Sequence, residues 1–236
     1  MLSQKPVLFW DFHGTLTLPD ITWFDAAVEA CEETFPQVRL SRRVLTEQFT
    51  GRCLPWWSIP SRDTRHLTAP GAWWGHCEKE FAKMFESCGF TKEQAETLAP
   101  KLREKVLQPS RYQLYPDALS TLRELKDRGY RQFLLSNNYP ELGHLAEALG
   151  LSPYLEGVVV SAEVGYDKPR IEIFEKAWEQ AGKPVQSWMV GDNYEDDIEG
   201  AHRAGFTTVY VHSGHRECPA ADHCVEHLSE VPPLLP

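Results

Sequence analysis

Four consecutive apolar residues, Val7-Leu8-Phe9-Trp10, end at Asp11, and the chain continues as Phe12-His13-Gly14-Thr15-Leu16-Thr17. An apolar run this short reads as a strand covered on both faces, as the strands of parallel sheets are. Open α/β sheets place their ligands at the carboxyl ends of such strands. Asp11 therefore falls where a carboxylate can face a ligand with little local crowding, and Gly14 lets the backbone turn sharply away.

The pattern recurs further along. A helix is predicted from Ala118 to Arg128, closed by Gly129, and it leads to a strand from Arg131 to Leu135. A helix from about Tyr139 to Leu149 follows, then strand Gly157 to Val160, helix Ile171 to Ala181, strand Ser187 to Val190, helix Asp196 to Ala204 and strand Thr207 to Val211. Repeated βα units of this kind give an α/β fold, a doubly wound parallel sheet with helices on both faces. Between Thr17 and about Leu114 the alternation gives way to helical signals, broken by a Pro-, Trp- and Gly-rich stretch from Gly51 to Gly75. The division this implies is a core of residues 1–17 and 115–236 with a helical cap, 18–114, inserted after the first strand. Val231 to Pro236 is expected to be a tail on the surface.

With 236 residues, 42% of them hydrophobic, the chain can bury one substantial core and a smaller appended one. A net charge of -10 argues against a nucleic-acid partner, which needs a basic footprint. The apolar stretch near the start is too short for a membrane span or a secretory signal, so no membrane partner and a cytoplasmic location are expected. Six cysteines without a framework spacing suit reduced thiols.

Asp192 follows a second strand and a glycine and precedes Asp196 and Asp197. Carboxylates converging on one loop repel one another unless a cation sits among them, and hard oxygen ligands beside a phosphate suit Mg²⁺. Ser136 and Asn137 end another strand and offer a hydroxyl and backbone N–H groups to phosphate oxygens. Lys168, held before Pro169, can balance a nucleophilic carboxylate and the charge developing on a transferred group.

Taken in order, Asp11-Phe12-His13-Gly14-Thr15, Phe133 to Asn138, Val164 to Pro169 and Val190 to Ala201 resemble the four motifs of the haloacid dehalogenase-like hydrolase superfamily, whose first motif is Asp-x-Asp-x-Thr. The resemblance covers most of the chain and implies a Rossmann-like core with a cap, as in the phosphatase-like branch. It implies a Mg²⁺-dependent hydrolase of small phosphorylated metabolites in which Asp11 attacks phosphorus and forms an aspartyl-phosphate that water hydrolyses. Asp11 and Asp192 are then the side-chain metal ligands, the His13 carbonyl is a backbone ligand, and Asp197 supports the site. Arg52, in Thr50-Gly51-Arg52, falls where cap loops of related phosphatases reach the substrate and could clamp a second anionic group.

His13 departs from the family pattern, which places an aspartate there as acid to the leaving group and base to the hydrolytic water. An imidazole can move protons near neutral pH and so take over that role. Two alternatives stay open: an impaired member that binds a phosphorylated ligand or a protein partner, and a dehalogenase-type hydrolase. Ser136-Asn137-Asn138 resembles the dehalogenase second motif, whereas the acidic Asp192 and Asp197 oppose it. Phosphonatase chemistry uses a cap lysine, and no lysine lies between Lys5 and Lys79. Trp56-Trp57 and Trp73-Trp74 read first as cap core and second as an apolar or sugar-binding roof. His212, His215, Cys218, His223, Cys224 and His227 contain zinc-ligand types but lack a paired Cys-x-x-Cys. The sequence sets neither the substrate nor the oligomeric state.

Overall fold

The computed structural model describes residues 5–19, 22–49, 53–212, 214 and 219–236. Six parallel strands form one sheet: β1 (Val7–Trp10), β2 (Arg131–Ser136), β3 (Gly157–Val160), β4 (Ser187–Gly191), β5 (Thr207–Val211) and β6 (His223–Val225), in the order β3-β2-β1-β4-β5-β6. The chain winds outward from β1 to β3, then restarts on the other side of β1 with β4. The change of direction puts a crevice outside the carboxyl ends of β1 and β4.

Alternation along β1 explains why it is apolar throughout. Val7 and Phe9 pack on one face with Phe133, Leu135, Met189, Ile173 and Phe174. Leu8 and Trp10 pack on the other with Leu134, Val190 and Leu122. Gln132, buried on that second face, accepts from Trp10 Nε1 at 3.2 Å and donates to the Leu122 carbonyl at 2.9 Å, so its amide is satisfied.

The helices are α1 (Thr22–Thr34), α2 (Arg42–Phe49), α3 (Pro55–Ser58), α4 (Ala72–Ser87), α5 (Lys92–Val106), α6 (Ala118–Asp127), α7 (Leu142–Ala148), α8 (Ser161–Val164), α9 (Ile171–Gln180) and α10 (Gly200–Arg203). On α6 the buried residues Ala118, Thr121, Leu122 and Leu125 follow the i, i+3, i+4, i+7 rhythm of a one-sided helix. A capping box between Thr91 and Gln94 starts α5. Helices α1 to α5 come between β1 and β2 in the chain and share an aromatic interior, in which Trp23 lies 5.9 Å from Phe81 and Phe49 stacks on Phe81 at 6.2 Å. No helix among the described residues is long and apolar enough to cross a membrane.

Four expectations need correction. The expected helix Asp196 to Ala204 starts as a π-helical turn, Tyr194–Glu199, before α10. Strand β6 has no counterpart in the sequence reading; it is three residues long and pairs with β5. The C-terminal segment is no surface tail: Val231 and Leu235 are buried, and the Arg128 guanidinium donates to the carbonyls of Pro232 at 2.7 Å and Leu235 at 3.3 Å. Cys31, Cys53, Cys77 and Cys88 are free thiols, but Cys224 is disulfide-bonded.

Candidate active site

Asp11 leaves β1 with its N–H bonded to the Val190 carbonyl at 2.9 Å, which ties the loop after β1 to β4. Its carboxylate accepts from Lys168 Nζ at 2.7 Å. The same ammonium donates to Asp197 and, at 3.2 Å, to the Leu135 carbonyl at the end of β2. Lys168 is 2% exposed, so both ion pairs are out of water. Burial pulls its pKa down, but the Asp11 and Asp197 carboxylates outweigh burial and hold it above the ordinary lysine value.

Asp192 follows β4 and accepts from Thr15 Oγ1 at 2.8 Å. Asp197, from the π-helical turn, also accepts from the Asn193 N–H at 3.0 Å. Oxygens of Asp11, Asp192 and Asp197 lie within 4.8 Å of one another. Burial and then the Asp11 carboxylate push the Asp192 carboxyl up to about 7. Burial likewise raises Asp197 well above its usual range, against the pull of Lys168. Three carboxylates, those of Asp11 and Asp197 buried and that of Asp192 half-buried, share one lysine, which does not balance their charge once all are ionised. That donor set of hard oxygens fits a cation such as Mg²⁺.

Two glycines permit this crowding. A β-carbon on Gly14, whose φ is +80°, would lie 2.2 Å from Asp192 Oδ2, and one on Gly191 would lie 2.3 Å from Asp197 Cγ. Each backbone passes its carboxylate too closely for any side chain.

The loop around Lys168 is fixed from both sides. Asn137 Oδ1 accepts from the Lys168 N–H at 2.7 Å while its Nδ2 donates to the Lys168 carbonyl at 3.1 Å. This spends the Asn137 amide on positioning the lysine, and leaves contact with an anion to its backbone N–H. Arg62 Nη1 reaches the same carbonyl at 2.9 Å and lies 3.6 Å from Asp196. Asp167 N–H donates to the Arg62 carbonyl at 3.0 Å. The sequence reading gives no role to Arg62, nor to the fully buried Asp167 inside the motif Val164 to Pro169. Nothing local in an arginine between two loops signals a contact with a lysine 106 residues away.

A cavity of about 210 Å³ brings together Asp11, His13, Ser136, Asn137, Lys168, Asp192 and Asp197. His13 is half-buried, with its ring 4.9 Å from that of Phe12 and 5.5 Å from that of Tyr112. Asp196 does not cap its own helical turn; Asn193 does, accepting from the Asp196 N–H at 3.0 Å, and Asp196 joins the cavity wall. Of the tryptophans, Trp73 and Trp74 are core, whereas Trp56 and Trp57 line the cavity. Arg52, Gly51 and Thr50 lie outside the described residues, as do His215 and Cys218. His212 faces the carbonyls of Glu226 at 3.0 Å and Thr15 at 3.2 Å, and His223 stacks on Trp188. Among the described residues the three aspartates form the only cluster of potential metal ligands.

A family model for haloacid dehalogenase-like hydrolases matches residues 6–205. The chain is 38% identical to a phosphoserine phosphatase of Thermus thermophilus over 175 residues, 71% of this chain and 69% of that protein. It is 41% identical to a glyceraldehyde 3-phosphate phosphatase of Methanothermobacter thermautotrophicus over 101 residues, which spans 42% of this chain and only 45% of that protein. Its fold matches the HAD-hydrolase YfnB of Bacillus subtilis with a TM-score of 0.74 at 18% identity, covering 98% of this chain and 99% of that one. The chain belongs to the haloacid dehalogenase-like hydrolase family.

Proposed function

We propose that this member of the haloacid dehalogenase-like hydrolases is a Mg²⁺-dependent phosphatase of small phosphate monoesters. The observation that carries the reading is the Lys168 ammonium buried between Asp11 and Asp197, 2.7 Å from the Asp11 carboxylate, with Asp192 alongside. Residues 18–114 act as a cap over a core of 1–17 and 115–236, since Trp23, Leu54, Trp56 and Trp57 reach the cavity from that region.

Asp11 attacks phosphorus, forming the Asp11 O–P bond as the ester P–O bond breaks. Lys168 balances the charge that moves between the carboxylate and the phosphoryl oxygens. The Ser136 hydroxyl and the Asn137 N–H donate to those oxygens. His13, entering as imidazolium, gives its proton to the leaving alkoxide. As neutral imidazole it then takes a proton from the water that attacks the aspartyl-phosphate. Bound Mg²⁺, held by Asp11, Asp192 and the His13 carbonyl with Asp197 in support, supplies electrostatic stabilisation of the phosphoryl oxygens.

The packing of His13 against Phe12 and Tyr112 supports a second reading, in which its ring is a spacer and the site binds a phosphorylated ligand without turning it over. Dehalogenation is disfavoured by the cluster of Asp192 with the buried Asp11 and Asp197, which suits a cation that reaction does not need. The test is hydrolysis of an aryl phosphate against pH, with and without Mg²⁺, in the native protein, Asp11→Asn and His13→Asp. Metal-dependent turnover lost in Asp11→Asn supports the phosphatase. Turnover appearing only in His13→Asp sinks the proton-transfer role and favours the binding protein, and turnover that ignores Mg²⁺ removes the whole scheme.

A further inference from the structure

The cavity has two unlike walls. One carries Asp11, Ser136, Lys168, Asp192 and Asp197; the other is built from Trp23, Leu54, Trp56 and Trp57. Trp57 is 42% exposed although it belongs to an otherwise aromatic cluster. A large indole left part-open costs about 25 cal/mol per Å² of apolar surface in water, which a flat apolar partner would recover.

The apolar wall is braced from behind. Trp56 stacks on Trp73 at 6.1 Å, and Trp73 meets Trp74 edge-on at 4.8 Å. Trp74 rests on Tyr139 at 5.7 Å, and its Nε1 donates to Glu141 at 2.9 Å. Trp57 meets Trp56 at 69° and Phe49 at 80°. Two indoles at a steep angle form a corner that takes a ring face against one and a ring edge against the other.

We propose that the substrate is a monophosphate whose alcohol carries a flat, uncharged aromatic ring, seated in the corner of Trp56 and Trp57 while its phosphate meets Lys168 and Ser136. This deepens the phosphatase reading and rests on it. Trp23, Leu54, Trp56 and Trp57 carry no charge, so among the described residues of that wall a second phosphate or a carboxylate would find no partner. Sugar hydroxyls would meet the same penalty.

The test uses four esters with comparable primary leaving groups: 2-phenylethyl phosphate, glycerol 1-phosphate, phosphoserine and glucose 6-phosphate. With Mg²⁺, kcat/KM for 2-phenylethyl phosphate is expected to exceed the other three by about 10- to 100-fold, the range of stacking one ring on an aromatic side chain. Trp57→Ala and the bulkier Trp57→Leu both lose most of that preference, whereas Trp178→Ala, outside the cavity, keeps it. Calorimetric titration of Asp11→Asn with the same four esters ranks binding independently of turnover. Ring preference in binding without native turnover refutes the hydrolase reading alone. Turnover that favours phosphoserine or glucose 6-phosphate, or that is equal for all four, refutes this proposal alone. An equal loss on all four esters in both Trp57 variants also overturns it.

Discussion

Gly14 passes so close to Asp192 that the two cannot both keep their places if the glycine gains a side chain: a β-carbon would lie 2.2 Å from Asp192 Oδ2. The left-handed φ of +80° adds about 1–2 kcal/mol for any L-residue. Gly14→Ala is therefore expected to lower stability by roughly 2–4 kcal/mol and to lose Mg²⁺-dependent turnover even where it folds. Denaturant unfolding and aryl phosphate hydrolysis check both parts. A variant with native stability and activity would show that the loop relaxes around the methyl.

Lys168 is the only described cation in contact with the Asp11 and Asp197 carboxylates. Lys168→Met leaves both carboxylates buried and uncompensated. Removing one partner from a buried pair costs about 3–5 kcal/mol, so the unfolding midpoint should fall steeply at neutral pH. Turnover of the folded fraction should drop by at least about a hundredfold, because charge balance during phosphoryl transfer is lost. Lys168→Arg should recover little, since a planar guanidinium does not reproduce the point contact of an ammonium in so closed a space.

Strands β1 and β4 were legible because both faces of the centre of a parallel sheet are covered, so burial writes itself into the sequence as the short apolar runs Val7 to Trp10 and Trp188 to Val190. Strand β6 was not, because its three residues, His223, Cys224 and Val225, sit at the edge and only the valine is buried. The prolines around Val231 suggested a surface tail, yet Val231 and Leu235 are buried and Arg128 and Tyr130 donate to the segment's backbone carbonyls, contacts that span more than 100 residues. In the site, Asp11, Lys168 and Asp192 stood out because each follows a strand or opens a loop in a recognisable motif. Arg62 and Asp167 did not: one acts through the Lys168 carbonyl and the other through burial, and neither leaves a local pattern.

At Asp192 a proton and the proposed Mg²⁺ would compete for the same carboxylate oxygens. With its carboxyl pushed up to about 7 by burial and Asp11, Mg²⁺ must displace a proton below that pH and finds a ready carboxylate above it. The apparent Mg²⁺ dissociation constant should rise by up to about tenfold for each pH unit below 7 and level off above it. Titration calorimetry at pH 5.5, 6.5 and 8 measures this, with proton release greatest at the lowest pH. Asp192→Asn removes the ligand together with the pH dependence. Equal affinity at all three pH values would mean that Asp192 is ionised throughout, or that it does not hold the metal.

Asp167 sets a pH dependence of stability with the opposite sign to an ordinary salt-bridged aspartate. Burial pushes its carboxyl up to about 6, against the pull of the Ser161 hydroxyl, Arg62 and Lys168 and with the help of Asp196. Between about 4 and 6 the folded chain keeps a proton that the unfolded chain has released. Folding takes up that proton, and stability falls as pH rises through this window. The loss amounts to at most about 3 kcal/mol and is complete near pH 7. Asp167→Asn keeps the shape without the charge, so the variant should unfold at higher denaturant than the native protein at pH 7.5. The gap should close substantially at pH 5. Asp196 is raised in the same direction by burial, and its repulsion of Asp167 is part of the gap the comparison measures. A gap that does not change with pH, or an asparagine variant weaker at pH 7.5 than at pH 5 relative to native, would show that the Asp167 charge is stabilised in place by Arg62 and Lys168.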